Sequence, residues 1–259
     1  MTNDLERIEA YLVWWRDTVA AGARPWRFGT VLTDDRFPGR WDSNLVRVDG
    51  SLPADVDAPA LAAEADHELA RFRHREVLVE DDATGARLAP GFRDLGWEVV
   101  RLVSMAQRRD PDRPPPPIET REVDLSTIHP LIVETNLQDR GGMSPADAVM
   151  LADFRQVLVE RLGVRFFTAI VEGEPAGYCE LYIHDGVIQV EDVNTLARFR
   201  KRGAARAFVT RAIAEGRAAG ADLAFLIADA DDWPRAFYAT MGFDPVGQTW
   251  QFTRPPAGR

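Results

Sequence analysis

The chain has few cysteines and histidines, the residues that indicate disulfide bonds or a bound metal ion. Its 259 residues include one cysteine, Cys179, so no disulfide can form within the chain. The four histidines, His67, His74, His129 and His184, are scattered and do not show the i, i+4 spacing of a helical metal site. We therefore expect no bound metal.

Long apolar runs and excess positive charge are also missing. No apolar run approaches the ~18 residues that a membrane span needs. The start of the chain, "MTNDLERIEAYLVWWRD", is acidic and amphipathic, unlike the basic and then apolar segments of a signal peptide. The formal net charge of −10 argues against nucleic-acid binding, because phosphate contacts need a basic surface. These features predict a cytoplasmic protein without membrane or nucleic-acid partners.

The chain has a single lysine, Lys201, which lies inside a compact basic cluster. The stretch "LARFRKRGAARAFV", residues 196–209, combines that lysine with four arginines around Gly203 and then becomes alanine-rich and helix-like. Glycine allows a ligand to approach the backbone closely, and the first amides of a helix are unsatisfied at its positive end. Two interpretations follow from the residues alone: a solvated basic face, or a loop that binds phosphate in front of a helix.

Prolines divide the chain into two parts. Residues 108–120, "RRDPDRPPPPIET", hold five of the 17 prolines. Because proline lacks an amide donor and favours extended backbone, this segment is typical of a stiff linker. We predict one domain at residues 1–110 and a second at residues 118–259, joined by a linker at residues 111–117.

The second part has the pattern of a mixed α/β domain. "SPADAVMLADFRQVLVERLG" predicts one helix, with Ser144 as its N-cap and Gly163 at its end. Three strand-like runs follow, and then the helix after the basic cluster. The apolar run "LAFLIAD" predicts a buried strand, "WPRAFYATMGF" a short helix and "GQTWQFTR" a last strand.

The first part repeats some of this order. "VLVED", "GARLAPGFRDLGW" and "EVVRLVSM" predict a strand, a helix and a strand. Aligning "GFRDLGW" with "FYATMGF" matches Gly96 with Gly242 and places Phe92 at the position of Tyr238. Nothing in the first part is similar to the basic cluster. We therefore interpret the first part as a degenerate copy of the second.

Two motifs of the second part resemble a known family. The strand "VEDVNT", residues 200–205 and the following helix resemble the acyl-CoA-binding motif of the GNAT N-acetyltransferase superfamily, Gln/Arg-x-x-Gly-x-Gly/Ala. "AFYATMGF" is similar to that family's helix ending in Tyr-x-x-x-Gly-Phe. The resemblance covers roughly residues 118–254. It implies an α/β fold of two tandem GNAT-like acyl-CoA N-acyltransferase domains, as in mycothiol synthase-like enzymes. Each would have a mixed, mostly antiparallel sheet flanked by helices.

The resemblance also implies a cosubstrate, acetyl-CoA or another acyl-CoA, and the residues that hold it. Backbone groups of Val193 and Thr195 would pair with the pantetheine arm, and Tyr238 would stand near the thioester sulfur as general acid. Amides of residues 201–205 would hold the pyrophosphate. The implied cofactor-binding residues are Val193, Asn194, Thr195, Arg200, Lys201, Arg202, Gly203, Ala204, Ala205 and Asp231.

The sequence departs from the family pattern at two positions. Asp231 stands where family members often carry an asparagine that contacts the cofactor, seven residues before Tyr238. A carboxylate suits the neighbourhood of phosphates less well than an amide, so this contact is the weakest of the set. Ala197 replaces a proline that is common after the third strand, which we regard as a minor change.

Acylation of an amine also needs a base, because an alkylammonium with a pKa near ~10 is mostly protonated at neutral pH. Glu191 is the candidate base, since it lies two residues before Val193 and is expected on the same strand face. Glu180 on a neighbouring strand is the second choice, and Asp192 is expected to point to the opposite face. We expect Cys179 to serve packing.

Taken with the resemblance, these residues predict an acetyl-CoA-dependent N-acetyltransferase. It would transfer an acyl group to a primary amine of a small molecule or peptide by direct attack on the thioester. The alternatives are a non-catalytic acyl-CoA-binding regulatory protein, or another acyl-CoA reaction such as O-acylation or decarboxylation. The sequence does not identify the acceptor. We expect the protein to be a monomer or a homodimer.

Overall fold

The computed structural model describes residues 3–139 and 143–256. The chain divides into two compact units, each built from separate segments. Unit 1 comprises Met1–Trp15, Met105–Ile227 and Ala236–Pro245, and unit 2 comprises Arg16–Ser104, Ala228–Arg235 and Val246–Arg259. Because these segments alternate along the chain, the domain boundaries expected from the prolines remain a prediction.

Both halves of the described chain contain helices and strands. The helices are α1 (Asp4–Val19), α2 (Ala58–Glu68), α3 (Asp82–Asp94), α4 (Leu125–Asp139), α5 (Pro145–Asp153), α6 (Arg155–Leu162), α7 (Ala204–Ala218) and α8 (Pro234–Ala239). The strands are β1 (Gly22–Trp26), β2 (Gly29–Thr33), β3 (Leu45–Val48), β4 (Arg75–Val79), β5 (Glu98–Gln107), β6 (Thr120–Val123), β7 (Arg165–Val171), β8 (Glu174–Pro175), β9 (Gly177–His184), β10 (Val187–Thr195), β11 (Leu223–Asp229) and β12 (Phe243–Arg254). Among the described residues, no helix has the length and apolar character that crossing a membrane requires.

The sheet of unit 1 has the strand order β11-β10-β9-β7-β6, with β8 beside β7. β10 runs antiparallel to β9 and parallel to β11. A parallel pair needs a crossover connection, and α7 provides it. α7 packs tightly on the sheet: a Cβ added at Gly216 would lie 2.6 Å from Cδ1 of Ile188. This crossover positions the start of α7 at the end of β10.

The parallel strands β10 and β11 separate after three pairs of residues. Within the described chain their pairing runs from Val187↔Leu223 to Gln189↔Phe225. β10 then continues to Thr195, paired on its other side with β9. Among the described residues, the edge of β10 that faces β11 therefore has no strand partner beyond Gln189.

The sheet of unit 2 has the strand order β1-β2-β3-β4-β12. β3 and β4 are parallel, with α2 between them in the chain, and β12 is antiparallel to β4. The core includes Leu61 of α2, Phe92 of α3 and Phe252 of β12, and the rings of Phe92 and Phe252 stack at 4.2 Å. The order β2-β3-α2-β4-α3 repeats the order β9-β10-α7-β11-α8, which confirms the predicted relation between the two parts.

The predicted helix after Ser144 begins and ends where expected but is interrupted. The Ser144 hydroxyl accepts a hydrogen bond from the Asp147 amide at 3.1 Å, and Gly163 ends α6 with a φ of 63°. The prediction of one continuous helix is wrong, because α5 ends at Asp153 and α6 begins at Arg155. The carbonyl of Leu151, which a continuous helix would pair with the Arg155 amide, instead accepts the Arg155 guanidinium at 2.7 Å.

Candidate functional site

The basic cluster forms a tight turn that leads into α7. β10 ends at Thr195, and α7 begins at Ala204 with Gly203 as its N-cap. Lys201 and Gly203 both have left-handed backbone, with φ of 64° and 90°. The N-cap residue, Gly203, makes no side-chain hydrogen bond to the first amides of this 15-residue helix. Its first amides and the positive end of its dipole therefore form an anion site of the kind that phosphates occupy.

The arginines of this turn are held by neighbouring groups. Arg200 donates to the Thr195 carbonyl at 3.1 Å, and Arg202 lies 2.6 Å from the Glu172 carboxylate. Arg206 is buried and donates to the hydroxyl of Thr240, which ties α7 to the residue after α8. Arg200, Lys201 and Arg202 are exposed, while Ala204 and Ala205 of the first turn are buried and half-buried. The positive charge thus surrounds an entrance made of small residues.

The segment predicted as a linker packs against this turn. A Cβ added at Gly203 would lie 2.8 Å from Cγ of Pro116, so the proline ring sits directly on the glycine. The positive φ of Gly203 is a second reason why a side chain would be strained at this position. Gly203 is therefore needed for the local backbone and for its contact with Pro116.

β10 contains a bulge at the candidate base. The antiparallel register shifts between Glu191 and Asn194, and Asp192 has left-handed backbone with a φ of 49°. The extra residue places Asn194 on the face of Glu191. The expectation that Val193 shares that face is wrong, because strict alternation stops at a bulge. Val193, Asn194 and Thr195 are all half-buried.

Asp192 belongs to a polar network on the side of the sheet that carries Glu180. Its carboxylate accepts from the Tyr178 hydroxyl at 2.9 Å and from Nδ2 of Asn194 at 2.7 Å. Arg155 donates to Asp192 and, through Nε at 2.8 Å, to Glu180. The expectation that Asp192 points to the opposite face is therefore wrong, and the left-handed bulge is the reason.

Both carboxylate oxygens of Glu180, the second-choice base, accept hydrogen bonds from protein donors. One carboxylate oxygen accepts from Arg155 and the other accepts from the Tyr182 hydroxyl at 2.5 Å. Burial raises the pKa of Glu180, and the positive charge of Arg155 opposes that rise. Both oxygens are occupied by protein donors, so Glu180 is better suited to holding the strands together than to accepting a substrate proton.

Glu191 and Tyr238 are close enough to interact electrostatically. Glu191 is half-buried and accepts a hydrogen bond from Nε2 of Gln189. Tyr238 lies in α8 and is 7% exposed. Burial raises the pKa of Tyr238 well above its usual value, and the negative charge of Glu191 adds to the rise. Tyr238 is therefore a protonated phenol at neutral pH and can donate a hydrogen bond.

Cys179 and Asp231, which the sequence analysis also considered, make other contacts. Cys179 is buried, its Sγ lies 3.9 Å from the Phe208 carbonyl, and burial raises the pKa of the thiol, which suits packing. Asp231 lies in unit 2, where its carboxylate pairs with Arg101 at 3.1 Å. The other predicted site residues all lie in unit 1. Within the described residues, no group of His, Cys, Asp and Glu side chains is arranged to hold a metal ion.

The structure adds residues that sequence reasoning missed. Gln189 lies directly between Tyr182 of β9 and Phe225 of β11 in the sheet. From α1, the Tyr11 ring meets Phe225 edge-on at 5.2 Å, and the Trp15 ring meets Tyr182 edge-on at 6.0 Å. The aromatic run of α1 was a visible signal, but periodicity does not show which sheet a helix covers.

Comparison with protein families confirms the resemblance. Residues 127–243 match the family described as acetyltransferase (GNAT) family. This span includes β10, the turn at Gly203, α7 and the α8 tyrosine. Comparison with curated proteins gives no significant match.

Solved structures share the fold over most of the chain. A conserved protein of unknown function from Staphylococcus epidermidis superposes with a TM-score of 0.69 at 14% identity, covering 91% of this chain and 94% of its own. A GCN5-related N-acetyltransferase from Kribbella flavida gives a TM-score of 0.60 at 19% identity, covering 97% and 95%. A tandem GNAT protein from the clavulanic acid biosynthesis pathway gives a TM-score of 0.51 at 16% identity, covering 78% and 68%. At such identities the likeness shows the fold alone, and that fold agrees with the tandem arrangement.

Proposed function

Residues 127–243 form a domain of the acetyltransferase (GNAT) family, and on that premise we propose that the chain is an acyl-CoA-dependent N-acyltransferase. Its acceptor would be a primary amine, and acetyl-CoA is the acyl donor that we propose. The observation that carries the proposal is the start of α7 at Gly203, an N-cap residue without a side chain, which follows a strand that separates from its parallel neighbour.

The residues present fit an acyl-CoA. The left-handed turn at Lys201 and Gly203 and the first amides of α7 suit a pyrophosphate. The small side chains of Ala204 and Ala205 leave the backbone accessible to it. Arg200 and Arg202 are exposed beside the turn and add positive charge. When bound, acetyl-CoA supplies the activated thioester for the reaction.

Backbone groups along the edge of β10 can orient the bound acyl donor. In the part of the chain that the structure describes, this edge has no β11 partner beyond Gln189, so backbone groups around Val193 and Thr195 can pair with an extended amide-containing chain. An amide of this edge can also donate a hydrogen bond to the thioester carbonyl as negative charge develops on its oxygen. The same strand thus positions the donor and carries the candidate base.

Glu191 is the residue that we propose as base. Its carboxylate would accept a proton from the acceptor ammonium, directly or through a water molecule, and leave a neutral amine for attack. Glu180 is unsuited because both of its oxygens bind protein donors, Arg155 and the Tyr182 hydroxyl. The bulge at Asp192 brings the Asp192 carboxylate to Arg155, so Asp192 is also bound to a protein donor.

Tyr238 would assist the leaving sulfur. The raised pKa keeps its hydroxyl protonated, so it can donate a hydrogen bond to the thiolate as the carbon–sulfur bond breaks. A thiol has a pKa of about 8.5, lower than that of this phenol, so full proton transfer is not required. Tyr238 therefore contributes by stabilising charge on sulfur.

A thiol-release assay tests this proposal. Purified protein is mixed with acetyl-CoA and a library of primary amines, and free CoA is measured with a thiol reagent. The proposal predicts amine-dependent release of CoA together with an N-acetylated product detected by mass spectrometry. Binding of acetyl-CoA without release for any amine would instead support the non-catalytic alternative.

A further inference from the structure

Three buried polar atoms, two on α1 and one on β10, have no hydrogen-bond partner among the described residues. They are the hydroxyl of Tyr11, Nε1 of Trp15 and Oε1 of Gln189. Tyr11 and Gln189 are only 2% and 3% exposed. Buried polar groups almost always have partners, because leaving one without a partner costs the whole desolvation of the group.

The three atoms belong to one layer of side chains. Tyr182, Gln189 and Phe225 are neighbours across three strands and so project from the same face of the sheet. α1 covers this face, with Tyr11 edge-on to Phe225 at 5.2 Å and Trp15 edge-on to Tyr182 at 6.0 Å. Gln189 therefore lies between the two positions that α1 contacts.

This layer adjoins the proposed base. Gln189 uses Nε2 to donate to Glu191, so its amide is oriented and its carbonyl oxygen remains available as an acceptor. Burial raises the pKa of Tyr11, and the negative charge of Glu191 adds to that rise, which places the hydroxyl within electrostatic reach of the carboxylate. The partnerless atoms and the base thus belong to one region of unit 1.

Resting on the proposed function, we infer that this layer binds the acceptor, and that the acceptor is a small primary amine carrying hydroxyl groups, an amino alcohol or amino sugar. Glu191 and Oε1 of Gln189 accept hydrogen bonds and suit an ammonium group. The indole N–H of Trp15 can only donate, so it needs an oxygen atom on the ligand. The Tyr11 hydroxyl can bond a ligand hydroxyl in either direction.

The charges on this face disfavour an amino acid. Arg155 is the cation of the network described above, and its guanidinium already binds Glu180, Asp192 and the Leu151 carbonyl. A substrate carboxylate would therefore lie near Glu191, and the guanidinium of Arg155 is already bound to two protein carboxylates. Uncharged oxygen atoms of a ligand can accept hydrogen bonds from the Trp15 indole N–H and the Tyr11 hydroxyl without the cost of burying an unpaired carboxylate.

Two conservative variants separate binding from folding. Tyr11→Phe keeps the ring and removes a partnerless hydroxyl, so its melting temperature should stay unchanged or rise. Trp15→Phe also removes ring volume that packs against Tyr182, so its melting temperature is compared with that of a second Trp→Phe variant. The same variants should weaken the binding of a hydroxylated amine by roughly tenfold each, the effect of one lost hydrogen bond. Trp14→Phe is the matched control, because the Trp14 ring stacks on His184 at 3.6 Å and its Nε1 is not among the partnerless atoms. The Trp14 ring also packs 5.4 Å from the Tyr11 ring, and phenylalanine keeps an aromatic ring at that contact.

The experiment is calorimetric titration with four probes: acetyl-CoA, glucosamine, serinol and cyclohexylamine. The expected result is that glucosamine or serinol binds at least about a hundredfold more tightly than cyclohexylamine, since the site is built to bond hydroxyl groups. Equal binding of cyclohexylamine would overturn the inference. Equal affinities in Trp15→Phe and Trp14→Phe would also overturn it.

The titrations distinguish this inference from the proposed function. If acetyl-CoA binds and neither glucosamine nor serinol does, the acceptor assignment is wrong while the cofactor assignment stands. If acetyl-CoA does not bind, the proposed function fails first, and the inference fails with it.

Discussion

Arg155 and Glu180 form a buried ion pair, with Nε of the guanidinium 2.8 Å from Oε1 of the carboxylate. The two residues are 8% and 2% exposed. Arg155 also binds Asp192 at the bulge of β10, so it joins α6 to both β9 and β10. The pair neutralises Glu180, the cross-strand partner of Glu191, and fixes the strand that carries the candidate base.

Removing Arg155 should destabilise the protein strongly. Arg155→Leu leaves Glu180 buried without its cation, and breaking a buried pair in this way costs about 3–5 kcal/mol. Chemical denaturation measures the loss. The double variant Arg155→Leu with Glu180→Gln removes the uncompensated negative charge of Glu180 and should recover much of the stability. A loss below about 1 kcal/mol in the single variant would show that the pair is not buried in solution.

Replacing Glu76 should stabilise unit 2 at neutral pH. Burial raises the pKa of Glu76 to about 8. Since this folded-state pKa lies above the ordinary value near ~4.5, the folded state holds the proton more tightly, and stability falls as pH rises from about 4.5 to about 8. Glu76→Gln removes this dependence and should gain about 3 kcal/mol at pH 7 relative to pH 4. Parallel denaturation curves at the two pH values check this, and an equal pH dependence in both proteins would contradict it.

Tyr238→Phe should lower turnover without weakening cofactor binding. The hydroxyl is proposed to act on the leaving sulfur, so its loss should reduce kcat by about 10²–10⁴-fold, the range of such groups. The acetyl-CoA affinity measured by calorimetry should stay constant, because the ring remains. Steady-state kinetics with an acceptor found by the thiol-release screen provides the measurement. Unchanged kcat would place the acid elsewhere.

Glu191→Gln should make the reaction depend on the ionisation of the acceptor. Without a carboxylate to take the proton, only the neutral amine reacts, so kcat/KM should rise about tenfold per pH unit below the amine pKa near ~10. The wild type should show a flatter profile above neutral pH. Glu180→Gln is the comparison, and it should alter stability more than the shape of the profile. Identical profiles for Glu191→Gln and wild type would exclude Glu191 as base.

Local patterns were enough to predict the elements that the chain forms near the candidate site. The run "LAFLIAD" coincides with β11 at Leu223–Asp229, because a wholly apolar run of that length suits a strand buried on both faces. Gly96 and Gly242 both have left-handed backbone, with φ of 75° and 88°, as expected of glycines that end helices. These features depend on residues that are neighbours in the chain.

Features that depend on distant contacts could not be predicted. The aromatic residues of α1 show an apolar face, but the partner of that face is Tyr182 and Phe225, more than half the chain away. The bulge at Asp192 arises from the register between β9 and β10, and one extra residue moves every later side chain to the other face. The side-chain layer under α1 and the orientation of Asp192 could not be predicted, because both depend on contacts between residues that are distant in the sequence.

The most direct test of the central claim is calorimetric titration with acetyl-CoA of wild type, Ala205→Glu and Ala205→Gln. Ala205 is preferable to Gly203, because any side chain at Gly203 would meet Pro116 and strain the backbone. A glutamate in the first turn suits the helix dipole, so folding should be preserved while the carboxylate repels the pyrophosphate. We predict that wild type binds, that Ala205→Gln binds within about tenfold of it, and that Ala205→Glu binds at least about a hundredfold more weakly, because like charges brought together cost several kcal/mol. Equal affinities for the glutamate and glutamine variants would contradict the assignment of this turn as the pyrophosphate site.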